Sequence, residues 1–334
     1  DADTEVTIVD LTKPGGLTEF YDLFEYVKNN EDVVIVAHNA TFERICLREY
    51  GFDISPMRFF CTANMSLYCG MPASLEEVSN ILNLDDKKKG TGKNLIRYFS
   101  IPCKPTKTNG GRTRNLPEHA PEDWEEFIDY LRYDVLSEKE IFGKLSRFEF
   151  PEEEQRIYAA DQRINDYGIL ADLELAHAAQ DMDEEYKARL TEKAEKDFGL
   201  SSLKSMPQLK GFIKERTGVV IDSLDKTNIE GVIKTIASLK NVTDEDKQAV
   251  LDVIDLRREI GKTSNAKYTA ILASAGRGNR IRGLFRYYGA SRTGRWAGRL
   301  VQLQNLPQNH IEDLDGARDL AKMHDLDMME VIYD

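Results

Sequence analysis

Two short motifs carry residue types from which a metal-dependent reaction could be built. After an apolar strand signal at residues 33–36 comes Ala37-His38-Asn39-Ala40-Thr41-Phe42-Glu43-Arg44. A carboxylate just beyond a buried strand, at the start of a helix, stands where α/β folds place ligands: the strand end fixes position and the helix supplies rigidity. Taken alone the motif is weak, because a Glu in that place is more often a favourable partner of the helix dipole. Far downstream, Tyr130-Leu131-Arg132-Tyr133-Asp134 lies in an amphipathic helical pattern, so Tyr130 and Asp134 share one face. A carboxylate with a phenol one turn away can bind a hard divalent ion while the hydroxyl orients an attacking water. The alternative is an ordinary helix with a half-buried Tyr and a surface Asp.

A third constellation is basic. Between Tyr287 and Pro307, the residues Arg292, Thr293, Arg295, Arg299, Gln304 and Asn305 stand among Gly and small side chains. That composition lets a backbone approach a duplex closely while guanidinium groups reach phosphates or groove edges. A Gly-rich basic hairpin is the plain alternative. Just upstream, Lys262, Ser264 and Lys267 could donate to phosphates or stand simply as solvated polar groups.

The elements that must position these groups belong to a chain of 334 residues with net charge −13, a total that by itself argues against nucleic acid. The distribution says otherwise. Residues 87–117 and 260–311 each hold nine Lys or Arg and no Asp or Glu, so +18 sits in these windows and −31 in the rest. Clustered Lys and Arg supply most sequence-independent DNA affinity, which points the second window towards a polyanion. The length suggests about two domains. No 18-residue apolar run and no signal-peptide pattern are present, which argues against a membrane. Cys46, Cys61, Cys69 and Cys103 lack a C-x-x-C spacing, so neither a zinc site nor a disulfide framework is expected, and a reduced, cytoplasmic compartment follows.

The pattern predicts a strand at residues 6–9, a helix carrying Leu17, Phe20, Phe24 and Val27, and the strand at 33–36. Ser74-Leu75-Glu76-Glu77 reads as a capping box opening a helix through Leu82. Residues 102–121 read as a long basic loop and 122–145 as helix. From Glu152 to about Leu272 helix follows helix, and residues 280–306 are strand-like, aromatic and Gly-rich.

Together the first two motifs resemble the second and third exonuclease motifs of the 3′–5′ proofreading domain of family A DNA polymerases, whose fold is RNase H-like. Asn39, Phe42 and Glu43 match the first, with Glu where the family has Asp, and Tyr130 and Asp134 match the Tyr-x-x-x-Asp. The likeness to the phage-type branch extends through Ser74 to Val78 and the loop Cys103 to Gly111. It implies that Glu43 and Asp134 are ligands of Mg²⁺ or Mn²⁺ and that Tyr130 positions the water. Thr293-Gly294-Arg295 and Gln304-Asn305-Leu306-Pro307 resemble the segment where the thumb of these polymerases passes into the palm. By that resemblance Thr293 and Arg295 lie beside the primer terminus, and Gln304 and Asn305 near the primer-template junction. Minor-groove acceptors differ little between base pairs, so an Arg there can test duplex geometry without reading sequence.

The resemblance implies an α/β plus mainly α chain: an RNase H-like exonuclease domain lacking its first strands (1–148), a helical thumb (149–282) and the entrance of the palm (283–334). The family's first Asp-x-Glu is not found in a matching context. Asp3-Thr4-Glu5 has the letters without a preceding strand, and Asp10 lacks the Glu. Cleavage by two metal ions needs more oxygen ligands than Glu43 and Asp134 provide. The expectation is therefore little exonuclease activity from this chain alone. The family's palm carboxylates likewise have no counterpart in residues 308–334, so nucleotide addition, and with it dNTP binding, belongs to a longer parent polymerase. The partners expected here are primer-template duplex and a single-stranded 3′ end, in a bacterial or phage-infected cytoplasm. A free-standing exonuclease and a catalytically silent DNA-binding protein remain as alternatives.

Overall fold

The computed structural model describes residues 5–84, 92–225, 227–262, 265–306 and 308–333. It divides into two units, unit 1 holding residues 1–168 and 283–299 and unit 2 holding 169–282 and 300–334.

Unit 1 begins with α1 (Gly16–Asn29), β1 (Ile35–Ala37), α2 (Thr41–Glu49) and β2 (Phe59–Cys61). The strands β1 and β2 pair in parallel, Ile35 opposite Phe59 and Ala37 opposite Cys61. Ala40, Phe52, Phe59 and Val27 form the core around them. Next come α3 (Thr62–Tyr68), α4 (Leu75–Ile81), α5 (Gly92–Ser100), the long α6 (Pro121–Leu145) and α7 (Glu152–Tyr167). A second apolar cluster, with Val78, Leu84, Ile141 and Leu145, seats α6 on α4.

Unit 2 is mainly helical: β3 (Ile169–Leu170), α8 (Leu173–Phe198), α9 (Met206–Thr217), α10 (Ile229–Ser238), α11 (Asp244–Ile260), α12 (Ala266–Ser274), β4 (Ala275–Gly276) and β5 (Arg280–Ile281). Helix starts are capped where the sequence allows it: Asp172 accepts from Leu175 N at 3.0 Å and Thr243 from Asp246 N at 3.1 Å. Leu203, Leu209, Ile213, Ile236, Val250 and Ile254 close one core among α8–α11. The chain then re-enters unit 1 as β6 (Phe285–Ala290) and β7 (Arg295–Gly298), an antiparallel hairpin, and ends in unit 2 with α13 (Leu314–Lys322) and α14 (Leu326–Tyr333).

The structure corrects three local expectations. Residues 6–9 form no strand; the Val6 carbonyl accepts instead from the Arg132 guanidinium at 3.1 Å. The second strand starts two residues later than its apolar run, because Val33 N is turned onto Asn30 O and Val33 O is taken by Arg58 Nε. Helix α4 begins after Ser74, but the Ser74 side chain makes no capping bond. Helix α7, read above as the start of the helical region, packs in unit 1, and the segment after residue 282 is shared between the units. No helix among the described residues is long and apolar enough to cross a membrane, and the four cysteines form no disulfide.

Candidate functional site

Two elements of unit 1 bring the first motifs together. At the end of β1 the chain turns through Asn39 at φ 71°, a left-handed conformation that Asn tolerates better than most residues, and enters α2. His38 braces the turn. Its Nε2 donates to the Ala73 carbonyl at 2.8 Å, and its Nδ1 lies 2.9 Å from Thr62 Oγ1. Because a carbonyl only accepts, a proton belongs on Nε2, and in that tautomer of the ring Nδ1 accepts from the Thr62 hydroxyl. Glu43, one turn further along, is half-buried, and its Oε2 is closed to solvent with no hydrogen-bond partner. Burial pushes its carboxyl up to about 6, opposed only by its own backbone N–H. Phe42 beside it stays 64% exposed.

Helix α6 supplies the other side. The Tyr130 hydroxyl donates to Asp134, the contact expected from their spacing, and Tyr130 itself is buried. Burial, that hydrogen bond and the Asp134 charge all push the Tyr130 phenol up, so it stays a donor. The ring stacks at 16° on Phe127 and lies against Gly92, the first residue of α5. One turn beyond Asp134, Glu138 joins the group. It accepts from the His38 backbone N–H, and burial followed by repulsion from Glu43 and Asp134 raises its carboxyl to about 8. Glu138 and Gly92 were not anticipated. The signal for Glu138 was its i+4 spacing from Asp134 on the same face; nothing marked Gly92.

These half-buried carboxylates repel one another, so a hard divalent cation matches the donor chemistry. The match is incomplete: among the described residues no group of three or more His, Cys, Asp or Glu is arranged to hold a metal ion. Glu5 is exposed, and Asp3 lies outside the described residues.

The basic residues fall into two sets. Arg292, Thr293, Arg295 and Arg299 are exposed on the β6–β7 hairpin of unit 1, and among the described residues none of the three arginines pairs with a carboxylate. The hairpin is bolted to α7. Asn165 pairs with the Phe285 backbone through both its amide nitrogen and its amide oxygen, at 2.9 Å each, and the Tyr287 hydroxyl donates to Glu154. Gly289 permits the closeness of the strands, since a side chain there would strike Ala297. Beneath it, buried Arg44 joins α2 to α7, its Nε donating to Gln162 at 3.2 Å and its other nitrogens to Asp166 at 2.7 Å. Gln162 and Asn165 donate in turn to Asp161, whose carboxyl burial raises to about 6 against these bonds and the Arg44 charge.

Unit 2 carries Lys262, Lys267, Gln304 and Asn305, while Ser264 lies outside the described residues. Lys262 is exposed and paired with Glu259 at 2.6 Å. Lys267 is half-buried, its Nζ donating to the Val301 carbonyl at 2.7 Å, so one donor is already spent within the unit. Gln304 is exposed, and Asn305 donates to the Gln302 side chain.

No protein-family profile matches the chain. Over 332 residues, 99% of its length, it is 44% identical to a protein of Bacillus phage SP02 named DNA polymerase. It spans 49% of that relative, about half its length.

Proposed function

We propose that this chain is part of a phage-type family A DNA polymerase, with an RNase H-like 3′–5′ exonuclease domain, a helical thumb and the entrance of the palm. The observation that supports it most is the meeting of Glu43, Tyr130 and Asp134, drawn from motifs some 90 residues apart, in a chain 44% identical to a protein named DNA polymerase. Template-directed synthesis and dNTP use would belong to the longer protein, and DNA would be the partner of both.

A bound Mg²⁺ or Mn²⁺ would supply charge neutralisation at the scissile phosphate and an acidified water. Asp134 and Glu43 are the oxygen donors that would hold it. Tyr130, kept protonated, fixes one edge of Asp134 and leaves the other edge to face the site. Glu138 adds negative charge that a cation would neutralise. The hairpin arginines contribute phosphate contacts on the same unit, consistent with the pre-organised anchoring through Asn165.

Fluorescence anisotropy with a labelled primer-template tests the reading. The chain should bind with an affinity that falls steeply with salt, and Arg295→Ala should weaken it. Absent or salt-independent binding at low salt would overturn it. Little Mn²⁺-dependent trimming of a labelled single strand is expected from the chain alone. Robust trimming abolished by Asp134→Ala would favour a free-standing exonuclease instead.

A further inference from the structure

The first acid-free window is not absorbed by this reading, and its structure gives it a role. Residues 92–117 contain Lys93, Arg97, Lys104, Lys107, Arg112 and Arg114 and no Asp or Glu. Among the described residues none of the six makes an ion pair, and all but Arg112 are exposed. Repulsion among so many like charges costs stability unless an anion relieves it.

The loop that carries four of them is pre-shaped. The Asn109 side chain accepts from Thr106 N at 2.9 Å and Gly111 N at 3.1 Å, and donates to the carbonyls of Lys104 at 2.9 Å and Arg112 at 3.3 Å. Cys103 N bonds Thr113 O at 2.8 Å across the loop's base, and Gly110 and Gly111 take the left-handed turn at φ 67° and 76°. Arg112 is spent on this scaffold, donating to Asn115 at 2.8 Å and to the Asn109 carbonyl. Asn115 then ties the loop to α5 through the Tyr98 carbonyl at 2.9 Å.

Helix α5 supplies the direction. It starts with Gly92 against the Tyr130 ring, beside Asp134, and Lys93 and Arg97 lie one turn apart on a shared face. From the carboxylates outward, therefore, come Lys93, Arg97, and then the loop with Lys104, Lys107 and Arg114. We propose that α5 and the loop at residues 102–117 form a track for the phosphate backbone of single-stranded DNA leading to the Glu43–Asp134 site. A half-buried carboxylate pair admits a flexible strand end more readily than a stiff duplex, and an ordered cationic groove is how proteins hold single strands without reading sequence. The direction of the track rests on the exonuclease reading; the cationic surface does not.

The test uses the whole chain in EDTA with fluorescein-labelled oligothymidylate. Lys104→Ala/Lys107→Ala/Arg114→Ala should weaken binding about tenfold or more near 0.1 M salt and flatten the log–log salt slope by about 2, at roughly 0.7 per lost phosphate contact on a single strand. Lys193→Ala/Lys196→Ala/Lys204→Ala, an equal charge change in unit 2, should leave it unchanged. Equal weakening by both triples, no weakening by the first, or a loss confined to duplex DNA would overturn the track. Acetylation footprinting of the wild-type chain keeps the test independent of variant folding: the oligonucleotide should shield Lys104 and Lys107, and unshielded lysines would also overturn it. Mn²⁺-dependent trimming is scored separately. Loop-dependent binding without trimming, even when the chain is extended to the length of its relative, would sink the exonuclease reading and leave the track standing.

Discussion

Adding one methyl group at Gly92 should disturb the candidate site. A Cβ there would stand 2.5 Å from both Cδ2 and Cζ of Tyr130. Carbon atoms in contact settle at about 3.5–4.0 Å, so the ring or the start of α5 must yield by roughly 1 Å or more. Overpacking of this kind costs about 1–3 kcal/mol, and the slight helix preference of Ala over Gly does not offset it. If the ring gives way, the hydroxyl also leaves Asp134, and a hydrogen bond to a charged group is worth about 1.5–3 kcal/mol. The expected loss for Gly92→Ala is therefore about 2–4 kcal/mol. Urea unfolding followed by the emission of Trp124, which packs edge-on against Phe99 of α5, reads it in a Trp296→Phe background. A double-mutant cycle isolates the cause: in a Tyr130→Ala background the same substitution should cost less than about 0.5 kcal/mol, because the clash has gone. Equal costs in the two backgrounds, or no cost in the wild type, would refute the argument that Gly92 is small in order to seat Tyr130.

Glu138→Gln should show a pH-dependent gain. The folded-state pKa of about 8 lies above the ordinary 4.5, so the stability tied to protonation is complete below pH 4.5 and disappears as pH rises to 8. Gln has no such loss, and its stability relative to wild type should rise by roughly 2–4 kcal/mol between pH 4.5 and 8.5, a flat difference counting against the assignment. Arg44→Met should cost about 3–5 kcal/mol in thermal or urea unfolding, since buried Gln162 and half-buried Asp166 lose their donor, with Arg48 left to pair Asp166. Lys267→Met should destabilise unit 2 measurably by freeing the Val301 carbonyl, while Lys262→Ala should stay within about 0.5 kcal/mol because an exposed ion pair is worth little. Similar unfolding midpoints for these two lysine variants would contradict the geometry.

What could be read from the sequence follows the range of the interactions involved. Tyr130 and Asp134 meet because both lie on one face of one helix, and helical spacing alone is sufficient to place them. Glu43 was legible as the residue that follows a strand and a turn, although the strand itself shifted when Val33 was drawn into hydrogen bonds with Asn30 and Arg58. Residues 6–9 show the limit of that logic. Their β-branched run has strand propensity, but a strand exists only when a second one pairs with it, and here a guanidinium takes the Val6 carbonyl instead.

Features that depend on two distant elements facing each other were out of reach. Glu138 stands one helical turn from Asp134, and only the packing of α6 against His38 and Glu43 makes that face part of the site. The hairpin is the larger case. By chain order it follows the helical region, yet Asn165, Glu154 and Tyr158 fix it to the unit of Glu43, through contacts between residues some 120 positions apart. The division of charge takes its meaning from this. The cations of α5, its loop and the hairpin belong to the unit that holds the carboxylate group, while Lys262, Lys267, Arg277, Arg280 and Arg282 of the second acid-free window belong to the other. On the DNA-binding reading proposed above, the surface cations of the first unit would offset the repulsion that its half-buried acids exert on a polyanion.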